Sequence, residues 1–132
     1  MATLEKFEDF EVWKTGRVIT KEIYFFTSKG DFVKDFALKD QIRDAAISIT
    51  SNIAEGHERD GSKERIQFLS YAKGSCGEVR SQLHIALDCG YISKIEFDRA
   101  HDLLMSESRM LGSLMKYLRN SSYKGEKYKK AI

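Results

Sequence analysis

No proline occurs anywhere in this chain of 132 residues. Proline removes a backbone donor and breaks helix interiors, and it is common in loops, so its absence suits long helices joined by short links. Cysteine is nearly as scarce. Cys76 and Cys89 are the two present, thirteen positions apart, with no C-x-x-C and no histidine cluster beside them. That pattern points to a reducing compartment, each thiol acting as a small apolar residue on a helix. No apolar window approaches the roughly 18 residues a membrane helix needs. The opening MATLEKFEDFEVWK is acidic and has no apolar run, so it does not read as a signal peptide. A soluble, cytoplasmic protein is the expectation.

A strong charge of one sign is also missing: the formal net charge is +2. Bulk electrostatics therefore give no argument for nucleic acid. The distribution says more. From Lys116 onward six basic residues (Lys116, Arg119, Lys124, Lys127, Lys129, Lys130) stand against one acid (Glu126), a net +5, which leaves −3 on residues 1–115. A basic tail on a slightly acidic body is an asymmetry with two readings, a solvated terminus or a contact segment.

What is present is helical periodicity. Phe10, Trp13, Gly16, Ile19, Ile23 and Phe26 recur at three and four and predict a helix over 9–28, with Lys29-Gly30-Asp31 as a turn. Leu38, Ile42, Ala45, Ala46, Ile49 and Ile53 predict a second over 35–55, stopped by Gly56. Ser62 is a good N-cap for a third over 62–89, whose stripe is Ile66, Leu69, Ala72, Cys76, Val79, Leu83 and Ala86. Gly90 ends it. Ser93-Lys94-Ile95-Glu96 is an S-x-x-E capping box opening a fourth over 94–119, with Phe97, Ala100, Leu104, Leu111, Leu114 and Leu118 inward. Four amphipathic helices with short links predict an all-α, antiparallel up-down-up-down four-helix bundle over residues 1–119, followed by a flexible basic tail over 120–132.

Some residues do not suit an ordinary bundle. Gly74 and Gly77 lie inside the third helix, where each costs about 1 kcal/mol relative to Ala. Close approach of a neighbouring helix would explain them; accidental surface glycines would too. Ser48, Asn52, Glu55 and Arg59 form a polar stripe on the second helix, and Ser75, Glu78 and Gln82 form another on the third. A plain solvated surface is one reading of both stripes, but Asn and Ser are poor choices for an exposed helix interior, so capping or hydrogen bonding across an interface is the expectation. A hairpin turning near Asp60 puts Arg43 opposite Glu78 as a partly buried pair.

The constellations that carry chemistry are lacking. The chain has no Glu-x-x-His, which a di-iron bundle needs in pairs, and one Asp-x-x-His, at Asp98 and His101. Cys76 has no histidine base close in sequence. Arg80 and His84 are spaced more tightly than the Arg–His motif of helical-bundle ribonucleases. GHERDGSKER follows no strand, so it is a turn and not a phosphate cradle. No metal, cofactor or catalytic residue is expected. Phosphate contacts could come from Arg59, Lys63 and Arg65 around the second turn, and from Lys116, Arg119 and the tail lysines Lys124, Lys127, Lys129 and Lys130, interleaved with Tyr117, Tyr123 and Tyr128. The expectation here is that the two clusters lie at opposite ends of one bundle and form one patch only across subunits.

Gln41-Ile42-Arg43, Ala45, Ser48, Asn52-Ile53-Ala54-Glu55-Gly56, Arg59, Phe68-Leu69, Ala72, Gly74-Ser75, Glu78 and Gly90-Tyr91-Ile92, with the opening Phe7–Trp13 segment, resemble the four-helix-bundle proteins encoded in intervening sequences of bacterial 23S rRNA genes. The resemblance covers about residues 5–119. The chain departs from it at Asp44, where a second basic residue is usual, and at Thr50-Ser51, where proline is usual. The resemblance implies a bundle assembled as a ring-shaped homopentamer. It also implies kinship with accessory proteins of diversity-generating retroelements, which work with a reverse transcriptase and nucleic acid. The resemblance implies no established activity. Two readings follow: a non-enzymatic nucleic-acid-binding accessory protein, RNA first, or a protein-interaction scaffold. The polar stripe with Arg43, Asn52, Glu55, Gly56, Gly74, Ser75, Gly77 and Glu78 would organise the hairpin or the subunit contacts in either.

Overall fold

A computed structural model of the protein describes residues 6–131, with side chains over 6–121. A short 3-10 turn, Phe7–Asp9, leads into α1 (Glu11–Thr27). α2 (Phe36–His57), α3 (Ser62–Asp88) and α4 (Lys94–Ala131) follow. No strand occurs among the described residues. α1 packs on α2, α2 on α3, α3 on α4, and α4 closes back on α1, which is the antiparallel four-helix bundle. The apolar stripes meet at its centre. Ile19 and Ile23 of α1, Ile42, Ile49 and Ile53 of α2, Val79 and Leu83 of α3, and Leu104 and Leu111 of α4 are fully buried. Burying each such side chain stabilises the fold by roughly 1.5–3 kcal/mol.

Several helix ends follow the capping chemistry, though the N-cap of α1, Phe10, provides no side-chain cap. Asp35 caps α2 by accepting a hydrogen bond from Leu38 N (3.1 Å). The capping box of α4 is complete: Glu96 N donates to Ser93 Oγ (3.1 Å) and Ser93 N to Glu96 Oε1 (2.9 Å). Gly90 stops α3 in the left-handed region (φ +75), and Tyr91 N reaches back to Ala86 O at 2.9 Å. α3 departs from expectation: its N-cap is Gly61 with no side-chain cap, and Ser62 is already inside the helix. Gly56 does not end α2 either. It lies under α3, where a Cβ would stand 2.9 Å from Phe68 Cβ, and the helix ends one residue later.

The α1–α2 connection is more than a turn. Gly30 (φ +59) opens a second 3-10 segment, Gly30–Lys34, which drives Phe32 wholly into the core. The Phe32 ring stacks on Tyr91 (4.9 Å, 26°), and Tyr91 Oη donates to Asp35 Oδ2 at 2.9 Å. The loops at this end are thereby joined. α4 has 38 residues against 27 in α3, about 57 Å against 40 Å. It continues past the last residue of the apolar stripe, to Ala131. The tail lysines Lys124, Lys127, Lys129 and Lys130 have side chains outside the described residues.

Candidate nucleic-acid interface

The polar stripe of α2 meets α3 through one hydroxyl. Ser48 Oγ accepts from Asn52 Nδ2 (2.9 Å) on its own helix and from Ser75 Oγ (3.0 Å) across the gap. Asn52 Nδ2 also donates to Ser48 O (2.8 Å). Small hydroxyls allow the helices to approach while keeping these donors satisfied. Two other expectations for the stripe are corrected. Arg43 does not pair with Glu78. Its Nε donates to Thr27 Oγ1 (2.8 Å) and its Nη2 to Ser28 Oγ (3.2 Å), and its guanidinium lies 4.3 Å from the Tyr24 ring centre. Position 43 therefore faces the end of α1, and Glu78 is exposed. Gly74 and Gly77 do not admit a neighbouring helix within the subunit, since a Cβ at either would meet nothing within 4 Å. The close approach falls at Gly16 instead. A Cβ there would lie 2.9 Å from Thr50 Cγ2 and 3.1 Å from Glu107 Oε2.

At the turn, Arg59 is held by acids. Its Nη2 donates to Glu55 Oε1 (2.8 Å) and its Nη1 lies 3.9 Å from Glu64 Oε2. The hydrogen bond to Glu55 raises its affinity for its proton further. Its guanidinium also lies over the Phe68 ring (5.0 Å). Arg65 Nε donates to Arg59 O (3.2 Å), which folds the turn back on α3. Lys63 is exposed, as are Lys116 and Arg119 on α4.

The two basic clusters lie at the same end of the bundle, contrary to expectation. α3 runs away from the turn and α4 returns to it, so the end of α4 must arrive beside residues 59–65. A small cavity of about 60 Å³ shows the meeting, lined by His57 and Arg65 together with Leu114 and Leu118. Phe10 closes it, its ring 4.8 Å from that of His57. The structure thus brings Arg59, Lys63, Arg65, Lys116 and Arg119 to one end of a single subunit.

Sequence reasoning passed over Glu107. It occupies a core position between Leu104 and Leu111, wholly buried, and neither carboxyl oxygen has a hydrogen-bond partner. Burial pushes its carboxyl up to about 8, so it is neutral at ordinary pH. The signal was present: a carboxylate three residues after Leu104, on the apolar stripe itself. Gln82 is likewise buried, its Oε1 unpartnered. Among the described residues no group of three or more His, Cys, Asp or Glu is placed to hold a metal ion. No helix among them is long and apolar enough to cross a membrane.

The class these features define is an all-helical antiparallel bundle with a mixed-charge, cation-bearing end. The chain belongs to the 23S rRNA-intervening sequence protein family, whose family model matches residues 8–113. It is similar in structure to a protein of unknown function from the S23 ribosomal protein family of Bacteroides thetaiotaomicron, with a TM-score of 0.73 and 21% sequence identity. The match covers 80% of this chain and 98% of that one, and at this identity it shows a shared fold. No curated protein matches the chain.

Proposed function

We propose that the protein is a non-enzymatic, self-associating cytoplasmic bundle that binds nucleic acid, RNA first, at the end where the turn and α4 meet. The observation that carries this reading is the convergence of Lys63, Arg65, Lys116 and Arg119 on one end of one subunit. From that end α4 continues into a segment with four more lysines. Phosphate contacts need cations free of internal partners. Lys63, Lys116 and Arg119 fit that need. Arg59 organises the turn, because Glu55 and Glu64 already neutralise it. The exposed Tyr117 beside Lys116 offers a face on which an unpaired base can stack. Self-association, in five copies on the family expectation, would multiply a weak patch into an avid one.

Filter binding to single-stranded RNA across a salt series tests this reading. Affinity that falls as salt rises, with a slope reduced by Lys116→Ala and Arg119→Ala, supports it. Affinity indifferent to salt, or no better than that of an unrelated protein of similar charge, removes it. The alternative, a protein-interaction scaffold, is favoured by one feature. An apolar groove of about 500 Å³ lies between α1 and α4, floored by Phe10, Val12, Met110 and Leu114.

A further inference from the structure

We propose that Glu107 is a proton-operated latch, which holds α1 on the bundle while its carboxyl is neutral and releases that helix when the proton is lost. The geometry has three parts. Glu107 is wholly buried and both its oxygens lack partners, so the ionised form has nothing to replace the water it gives up. Its Oε2 lies against Gly16 of α1, where a Cβ would come within 3.1 Å. The third part is the groove between the same two helices. Its lining includes Ser106, Arg109 and Met110, which flank Glu107, and Val12, one turn before Gly16. Neither Glu107 nor Gly16 lines the groove, but it runs along the same α1–α4 seam, so parting these two helices would hydrate the carboxylate.

The surrounding groups do not offset the charge. α1 presents Gly16, and α2 presents Ile49 and Thr50 around the same contact; none of these titrates. α3 presents the Cys76 thiol, pushed up to about 12 by burial first and by the Glu107 charge second. Lys73 and Arg80 act on that thiol from α3, while burial alone accounts for the behaviour of Glu107. On α4 the nearby cation, Arg109, is exposed.

The sign follows from proton binding. The closed state holds the Glu107 proton up to about pH 8, and the open, hydrated state loses it near the ordinary glutamate value of about 4.3. Between these limits opening becomes easier as pH rises, by up to tenfold per pH unit, and above them it levels off. The test is amide hydrogen exchange on the full chain. Protection of the α1 amides is compared with that of α3, because the ratio cancels the intrinsic dependence of exchange on pH. The fluorescence of Trp13 on α1 is read in parallel. The ratio is expected to fall with rising pH in the wild type and to stay level in Glu107→Gln, whose amide cannot ionise. Equal pH profiles in the two proteins overturn the latch. Should Glu107→Gln not fold, the carboxyl infrared band of the wild type decides. A protonated acid at neutral pH together with a wild-type α1-to-α3 protection ratio that falls as pH rises upholds the proposal; an ionised acid, or a level ratio, overturns it.

Discussion

Ser75 Oγ on α3 donates to Ser48 Oγ on α2 across 3.0 Å, and that acceptor also takes Asn52 Nδ2. One hydroxyl thus serves two donors, one from each side of the hairpin. Ser75→Ala removes one donor and is expected to cost about 1 kcal/mol in urea unfolding. Ser48→Ala removes the shared acceptor and is expected to cost more, about 2 kcal/mol. The double variant is expected to lose less than the sum. Strict additivity would show that the two hydroxyls do not depend on each other.

The glycines separate into two kinds by what a methyl group would meet. Gly16→Ala drives a carbon into Thr50 and Glu107, and overpacking of this sort is expected to cost about 1–3 kcal/mol. Gly74→Ala and Gly77→Ala enter open space and are expected to stabilise the subunit, by about 0.5–1 kcal/mol each. Thermal unfolding gives the sign. Light scattering of the same variants adds a second answer, because alanines that stabilise the fold while weakening assembly would place those glycines between copies.

The two thiols differ in depth. Cys89 is exposed at the end of α3, whereas Cys76 is buried and holds its proton up to about pH 12. A thiol reagent at neutral pH is expected to label Cys89 alone in the native protein, and Cys76 only after denaturation. Mass spectrometry of digests reads the site. Native labelling at Cys76 would mean that the core opens more readily than its packing suggests.

Glu96 is held below the usual carboxylate range, first by the hydrogen bond from Lys29 and then by that from Ser93 N. Its proton is lost more readily in the folded state than in the unfolded chain. The stability it contributes is therefore present above the unfolded value of about 4.3 and lost as pH falls through the lower folded one. Glu96→Gln is expected to lower the melting temperature at neutral pH and to flatten its decline in acid. Parallel acid curves for the two proteins would dissociate this carboxylate from acid sensitivity.

Helices, stripes and most caps were legible because the apolar period and the turn residues are local properties. The Ser93–Glu96 box and Gly90 stand where local chemistry puts them. Depth and direction were not legible. Helical period places Gly16 on the inward stripe of α1 and Gly74 and Gly77 off that of α3, but it does not show how closely a neighbouring helix approaches, which is where Gly16 differs. Arg43 could have turned toward α3 or α1. The hydroxyls of Thr27 and Ser28 decide it, and they lie on a helix that a hairpin argument leaves out. Polar residues are read as surface by habit, which hid Glu107 within an otherwise apolar row. The meeting of the two basic clusters required following the direction of each helix in turn, and a plain count of passes would have given it.

The Phe32–Tyr91 stack and the paired duties of Asp35 have a mechanical consequence. They tie the loops at one end of the molecule together, while at the other end, around Arg65 and Leu118, a small hollow remains beneath Phe10. A partner reaching the bundle from one side would meet a tied end, and from the other an end with room beneath its surface.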